Sequence, residues 1–267
     1  MACLVFLSKN HGAFIVCKKR SSFLTPFFLW YKESMKTLFL LPILLLSLLS
    51  TSCWSVDWDD LVERDYIYYK KFTETPFTGK VSGKKQGEMK NGIKEGEWVE
   101  YYEDGQLSYK GRYKNGEELG KWVLYYANGQ LKEKGSFGTG RFEGEYFTYH
   151  ANGQLKEKGS FKNGKKDGEW VQYNETGQLW NKGSYKNGKG EGEWVNYHKN
   201  GKLRSKGSYK NGKKEGGWVS YHENGQLWNK GSYKNGKYEN DWVWYTEDGE
   251  IWMAKAGTYK NGKKISD

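Results

Sequence analysis

Cysteine is scarce in this chain of 267 residues: Cys3, Cys17 and Cys53 are the whole supply. Nothing after residue 53 can therefore form a disulfide or a thiolate metal site. Proline occurs three times. A helical period of 3.6 is absent, and glycine every few residues would cost a helix about 1 kcal/mol each. There is no Ser-His-Asp or Cys-His arrangement and no phosphate-cradling glycine loop, so catalysis, cofactors and small-molecule substrates are not expected. Aliphatic side chains are also few, a composition that alone would suggest disorder. Aromatics fill the gap: they make up 17% of the chain, with 13 Trp and 21 Tyr.

Those aromatics recur in phase. Trp98, Trp122, Tyr146, Trp170, Trp194, Trp218 and Trp242 stand 24 residues apart. Each is followed by a glycine-leucine pair, from Gly105/Leu107 to Gly249/Ile251. A period of this length marks a repeat architecture. Within the first unit, residues 97–102 and 107–113 form two apolar-aromatic runs, separated by Asp104-Gly105 and followed by Asn115-Gly116. Both dipeptides suit two-residue hairpin turns, where both central residues take positive φ. The fold expected is all-β: an elongated, single-layer antiparallel β-meander of stacked 24-residue hairpins. With Asp104-Gly105 as the turn, Trp98 pairs with Gly111, Glu100 with Tyr109 and Tyr102 with Leu107. One face then carries Trp98, Tyr102, Leu107 and Tyr113; the other carries Val99, Tyr101, Ser108 and Lys110. Each Trp would cover the glycine across from it.

The chain divides into four stretches. Residues 1–34 do not resemble the repeats and read as an N-terminal extension of the gene model, with translation starting at Met35; a genuine leader with an internal membrane anchor is the alternative. Residues 35–53 have the basic start, apolar run and small residues of a secretory signal peptide, ending in Ser50-Thr51-Ser52-Cys53. That ending is similar to a lipobox and makes Cys53 the expected lipidation site, although Ser50 stands where an aliphatic residue is usual, so plain cleavage and secretion stay open. An exported protein, either membrane-anchored or free in the periplasm or outside the cell, follows. Residues 54–75 are expected as a tether. Residues 76–267 hold a half repeat and seven repeats. The net charge of +11 falls to +6 from residue 54 on, because 1–53 hold six Lys/Arg and one acid. Lys and Glu interleave within the repeats without the clustered patch that nucleic acid requires, so no nucleic-acid partner is expected.

The pattern G-x-W-x-x-Y-x-x-N-G-Q-L-x-x-K-G-x-Y-x-N-G-K resembles the bacterial variant of the MORN repeat over about 76–264. Departures are local: Tyr146 for Trp, Thr139 for the turn Asn, and Asn240 for the Gly before Trp242. Proteins of this kind are commonly labelled YwqK-family antitoxins. The resemblance implies an extended β-meander that contacts proteins or membranes, with neutralisation of a toxin as one form of that contact.

Three groups could carry chemistry. His150, His198 and His222 share one repeat position, and the spacing of neighbouring repeats, ~9–10 Å, is too long for a common metal ion. They read as rings replacing Tyr. The pairs Glu95/Glu97, Glu143/Glu145, Asp167/Glu169 and Glu191/Glu193 are copied through the array beside lysines, unlike the single dissimilar pair that hydrolysis needs. The third group is an aromatic-basic strip: Trp180, Trp228 and Trp252, expected to pair with Tyr173, Tyr221 and Tyr245 on the face opposite the Trp ladder, together with Lys182, Lys206 and Lys230. It could hold a protein, an anionic lipid or a glycan. Sheet packing alone is the competing reading, since cross-strand aromatic pairs stabilise by ~0.2–1 kcal/mol without binding anything. A non-enzymatic scaffold of the cell envelope is the function expected, with a toxin-neutralising antitoxin and then an enzyme acting on envelope glycans as the alternatives.

Overall fold

A computed structural model describes residues 2–8, 12–18 and 55–266. They fall in two units divided after Cys53. In the first, strands Ala2–Ser8 and Gly12–Lys18 pair antiparallel. The expected signal segment and Cys53 lie outside the described residues, as does most of 1–34.

The second unit is a single open sheet of about twenty strands. Consecutive strands pair antiparallel from Gly79–Ser82 to Lys263–Ser266; the exception is Ser55–Asp57, which lies parallel to Gly79–Ser82. Among the described residues no ladder joins Lys263–Ser266 back to Ser55–Asp57, so two edges stay free. Residues 55–75 are not a tether. They form an edge strand, a 3₁₀ turn at Trp58–Asp60 and the hairpin Leu61–Arg64/Ile67–Lys70. The ring of Trp58 meets Trp98 edge-on at 6.2 Å, and Leu61 is buried in the same cluster. This segment covers the first ring of the ladder, the role expected of a cap at the end of a repeat array.

The two turns of each repeat differ. Asn115 and Gly116 both have positive φ, 51° and 81°, and Lys114 pairs with Glu117, so this turn is the two-residue type expected. At the first turn only Gly105 is left-handed, at 85°. The Tyr102 N–H donates to the Gln106 carbonyl and the Gly105 N–H to the Tyr102 carbonyl, which makes a three-residue loop. The pairs Trp98–Gly111 and Glu100–Tyr109 are as expected, but Leu107 pairs with Tyr101 and not Tyr102. Ser108 is left over as a bulge.

The core lies inside a bend of this one layer. Gly192, two residues before Trp194, has φ +70°, and the ladder breaks there: Lys182 pairs with Val195, then Ser184 with Glu191. The bend swings Trp194 over Gly183 of the preceding hairpin, although its ladder partner is Gly207. A Cβ on Gly183 would fall inside that indole. The expected Trp-over-Gly contact thus reaches back one hairpin here, as it does for Trp98, Trp170, Trp218 and Trp242, whereas Trp122 lies over its own ladder partner Gly135. Asn240 takes φ +58° at the equivalent bend, a conformation that Asn tolerates better than most residues. Tyr185 and Tyr209 stand edge-on between successive indoles at 5.1–6.0 Å. Trp98, Trp170 and Trp242 are at most 2% exposed. At ~150–250 Å² per ring and ~25 cal/mol per Å², each buried indole contributes roughly 4–6 kcal/mol.

Candidate functional site

The histidines replace tyrosine hydroxyls. Tyr102 and Tyr126 donate through their phenols to the carbonyls of Tyr125 and Tyr149 in the next repeat, at 2.7 and 2.8 Å. His150, His198 and His222 bond the carbonyls of Tyr173, Tyr221 and Tyr245 through Nε2 at 2.9–3.0 Å. A carbonyl only accepts, so Nε2 carries the proton in each ring. No group of His, Cys, Asp and Glu among the described residues has the geometry to hold a metal ion.

The paired carboxylates have two separate roles. The first of each pair reaches the turn of the next repeat: Glu95, Glu143, Asp167 and Glu191 accept the backbone N–H of Asn115, Asn163, Asn187 and Asn211 at 2.8–3.1 Å. The second lies on the valine side of the sheet, where Glu169 meets Lys182 at 2.9 Å and Glu193 meets Lys206 at 3.0 Å. The Glu169 carboxylate raises the Lys182 pKa through a hydrogen bond and its charge. Gly217 stands where these acids would be for Lys230, which is exposed and meets no carboxylate in an ion pair among the described residues.

The expected strip does not form as one surface. Tyr173 pairs with Leu179, Tyr221 with Leu227, and Tyr245 with Ile251. Trp180 and Trp228 are not their partners; they occupy the bulge position left over by the three-residue turn. Trp252 starts an irregular stretch in which the Lys255 ammonium sits 4.0 Å from its ring centre. The bulge also turns the side chain. Ser108, Lys132, Arg204 and Trp228, all at this position, line hollows on the Trp-ladder face. Trp228 stands 6.0 Å from His222 there, while Lys182, Lys206 and Lys230 stay on the valine face. Trp180, Trp228 and Trp252 are nonetheless 49%, 42% and 44% exposed, far above the ladder indoles.

Two hollows open on the ladder face. One, of about 400 Å³, lies by Trp122 between Tyr109, Glu118 and Glu133. Burial raises the Tyr109 pKa and pushes that of Tyr113 up to about 12. The Trp122 Nε1 is buried without a partner. The larger hollow, about 720 Å³, lies over Trp218, with Trp228, Arg204, Lys214, Ser205 and Ser220 in its wall. The Lys214 ammonium is 4.2 Å from the Trp218 ring centre, and burial lowers its pKa. Aromatic faces, two cations and short hydroxyls suit this hollow to holding a ligand.

Six segments, 94–115, 118–137, 142–163, 166–187, 190–211 and 214–235, match the family model described as the MORN repeat variant. The chain belongs to the MORN repeat variant family. No curated protein matches it. The seventh unit, around Trp242, follows the last matched segment. It continues the ladder through the Trp242–Gly257 pair and a 2.8 Å bond from the Trp242 Nε1 to the Ser232 carbonyl.

Within this MORN array, sequence reasoning missed Arg204, Lys214, Ser205 and Ser220. The signal was available: comparing repeats column by column shows Ser205 where Glu133 and Glu157 stand, and Ser220 where Glu100 stands. What hid their meaning was the bulge, which alone brings Arg204 and Trp228 to the same face.

Proposed function

We propose that this MORN-repeat protein is a non-enzymatic scaffold of the cell envelope, exported and anchored through Cys53, that holds a macromolecular partner on its Trp-ladder face. The observation that carries the reading is a division of labour among the polar and aromatic side chains. The histidines and the inner carboxylates are engaged in bonds between repeats, whereas large aromatic rings are left exposed at the bulge positions. Exposed aromatics beside a polar hollow are the usual anchors of a binding surface. Export and anchoring rest on the signal-like segment 35–53. They are tested by labelling cells with palmitate: label on the wild-type chain and none on Cys53→Ala is expected, and equal labelling contradicts the anchor. Turnover of an envelope glycan by the purified protein would contradict the non-enzymatic reading.

The resemblance to YwqK-type antitoxins supports a second reading, in which the partner is a toxin bound on the same face. A toxin that kills only cells lacking this protein, and that binds the purified chain, would favour it.

A further inference from the structure

Deepening that binding reading, and resting on it, we infer that the hollow over Trp218 takes an acidic saccharide, with the sugar's carboxylate at Lys214 and its ring against Trp228.

Three repeats place a lysine over a ladder indole: Lys94 at 4.7 Å from Trp98, Lys166 at 3.7 Å from Trp170 and Lys214 at 4.2 Å from Trp218. The first two have a counter-ion on the same face. Lys94 meets Glu100 at 3.3 Å and Lys166 meets Glu157 at 2.8 Å. Around Lys214 the positions that supply those two acids hold Ser220 and Ser205. Lys214 is half-buried, burial lowers its pKa, and among the described residues no carboxylate forms an ion pair with it, whereas Glu100 opposes the effect of burial on Lys94. A part-buried ammonium without a counter-ion is unfavourable unless something supplies the negative charge.

The other walls of the hollow say what carries that charge. Its volume of about 720 Å³ lies within the range of small-ligand sites. The indole of Trp228, backed by His222, offers an apolar face to the C–H side of a pyranose ring. Asn196, Ser205 and Ser220 supply short donors and acceptors for ring hydroxyls. Arg204 adds a second cation. Glu223 and Glu247 also border the hollow, and their charges oppose a continuous polyanion such as a nucleic-acid backbone or an anionic bilayer. One carboxylate on an otherwise neutral sugar meets Lys214, and its neutral hydroxyls are left to face Asn196, Ser205 and Ser220.

The test is calorimetric titration of the purified protein with two singly acidic probes, sialyllactose and glucuronosyl-xylobiose, against neutral lactose and xylotriose. At least one acidic probe should bind roughly ten-fold or more tightly than its neutral counterpart, the scale of one charge-assisted bond. Ser220→Glu gives Lys214 the counter-ion that Glu100 gives Lys94. It should weaken the acidic probe roughly ten-fold without lowering the unfolding midpoint, and Trp228→Thr should weaken acidic and neutral sugars alike. No saturable binding of either acidic probe, equal affinity for acidic and neutral sugars, or full affinity in Ser220→Glu overturns the inference. Binding of phosphatidylglycerol vesicles or inorganic phosphate in place of the sugars, with the same sensitivity to Ser220→Glu, also overturns it and reassigns the site to phosphate. If the sugars fail while an envelope partner is still captured through Trp228, the scaffold reading stands and only the saccharide falls.

Discussion

The imidazole of His222 bonds the Tyr245 carbonyl through Nε2 at 3.0 Å, at the place where the Tyr102 phenol bonds the Tyr125 carbonyl at 2.7 Å. Two different side chains thus make one link between repeats, and the shared feature is a donor at the end of a flat ring. A protein hydrogen bond is worth about 0.5–1.5 kcal/mol net. His222→Phe should therefore lower the urea-unfolding free energy by about 1 kcal/mol, while His222→Tyr should change it little. Equal losses in the two variants would show that the ring, and not its donor, matters.

The indole of Trp194 lies over Gly183 with no room for a methyl group. Forcing extra volume into a packed site costs about 1–3 kcal/mol, which is the loss expected for Gly183→Ala. Gly217 has open space where its Cβ would stand, so Gly217→Ala serves as the control and should be nearly neutral. Unfolding midpoints of the two variants check this; a neutral Gly183→Ala would contradict the bent-layer packing.

Glu191 accepts the Asn211 N–H at 2.9 Å across repeats. Removing the acceptor in Glu191→Ala should cost about 1 kcal/mol and speed amide exchange at Asn211 while leaving the amide of Asn235, held by Glu215, unchanged. Unaltered exchange at Asn211 would count against the cross-repeat cap.

Burial raises the pKa of Tyr68, Tyr109, Tyr113, Tyr146, Tyr185, Tyr209 and Tyr233. A phenol with a raised folded pKa stabilises fully below its unfolded value, near 10, and that stability is lost as pH climbs through the folded value, because the unfolded chain ionises first. For Tyr113 the window runs from 10.0 to about 12. Lys94 and Lys214, whose pKa values are lowered, act oppositely: as pH rises from their folded values toward 10.5 they add stability. They are two groups against seven, so the expected result above pH 10 is cooperative loss of the fold, with phenolate absorbance rising together with the loss of strand signal. Phenolate rising in an intact fold would contradict the burial of these rings.

The repeat phase, the Trp–Gly pairs and the second turn were legible because each depends on local chemistry: an indole needs a bare strand, and Asn115-Gly116 needs two positive φ values. The first turn was not. Asn128-Gly129 and Asn163-Gly164 are the same dipeptide, yet Asn128 is not left-handed and Asn163 is, at 51°. Side-chain bonds distinguish them: the Asn128 Oδ1 accepts the Gln130 N–H inside its own turn at 3.0 Å, as Asp104 does from Gln106, while the Asn163 N–H is taken by Glu143. The three-residue first turn inserts the bulge, changes the partner of Tyr173 and moves Trp228 to the ladder face. The fold survives a one-residue error in a turn, whereas the composition of a binding face does not. Residues 55–75 were illegible for another reason. They lack the repeat, and the contact that orders Trp58 is with Trp98, far along the chain.

The division between structural and exposed rings is tested most directly by capture from an envelope extract with the Trp180→Thr, Trp228→Thr, Trp252→Thr triple variant, read beside its unfolding midpoint. The expected result is an unchanged midpoint with the partner bound by the wild type lost. A variant that unfolds, or one that stays folded and still captures that partner, would contradict it.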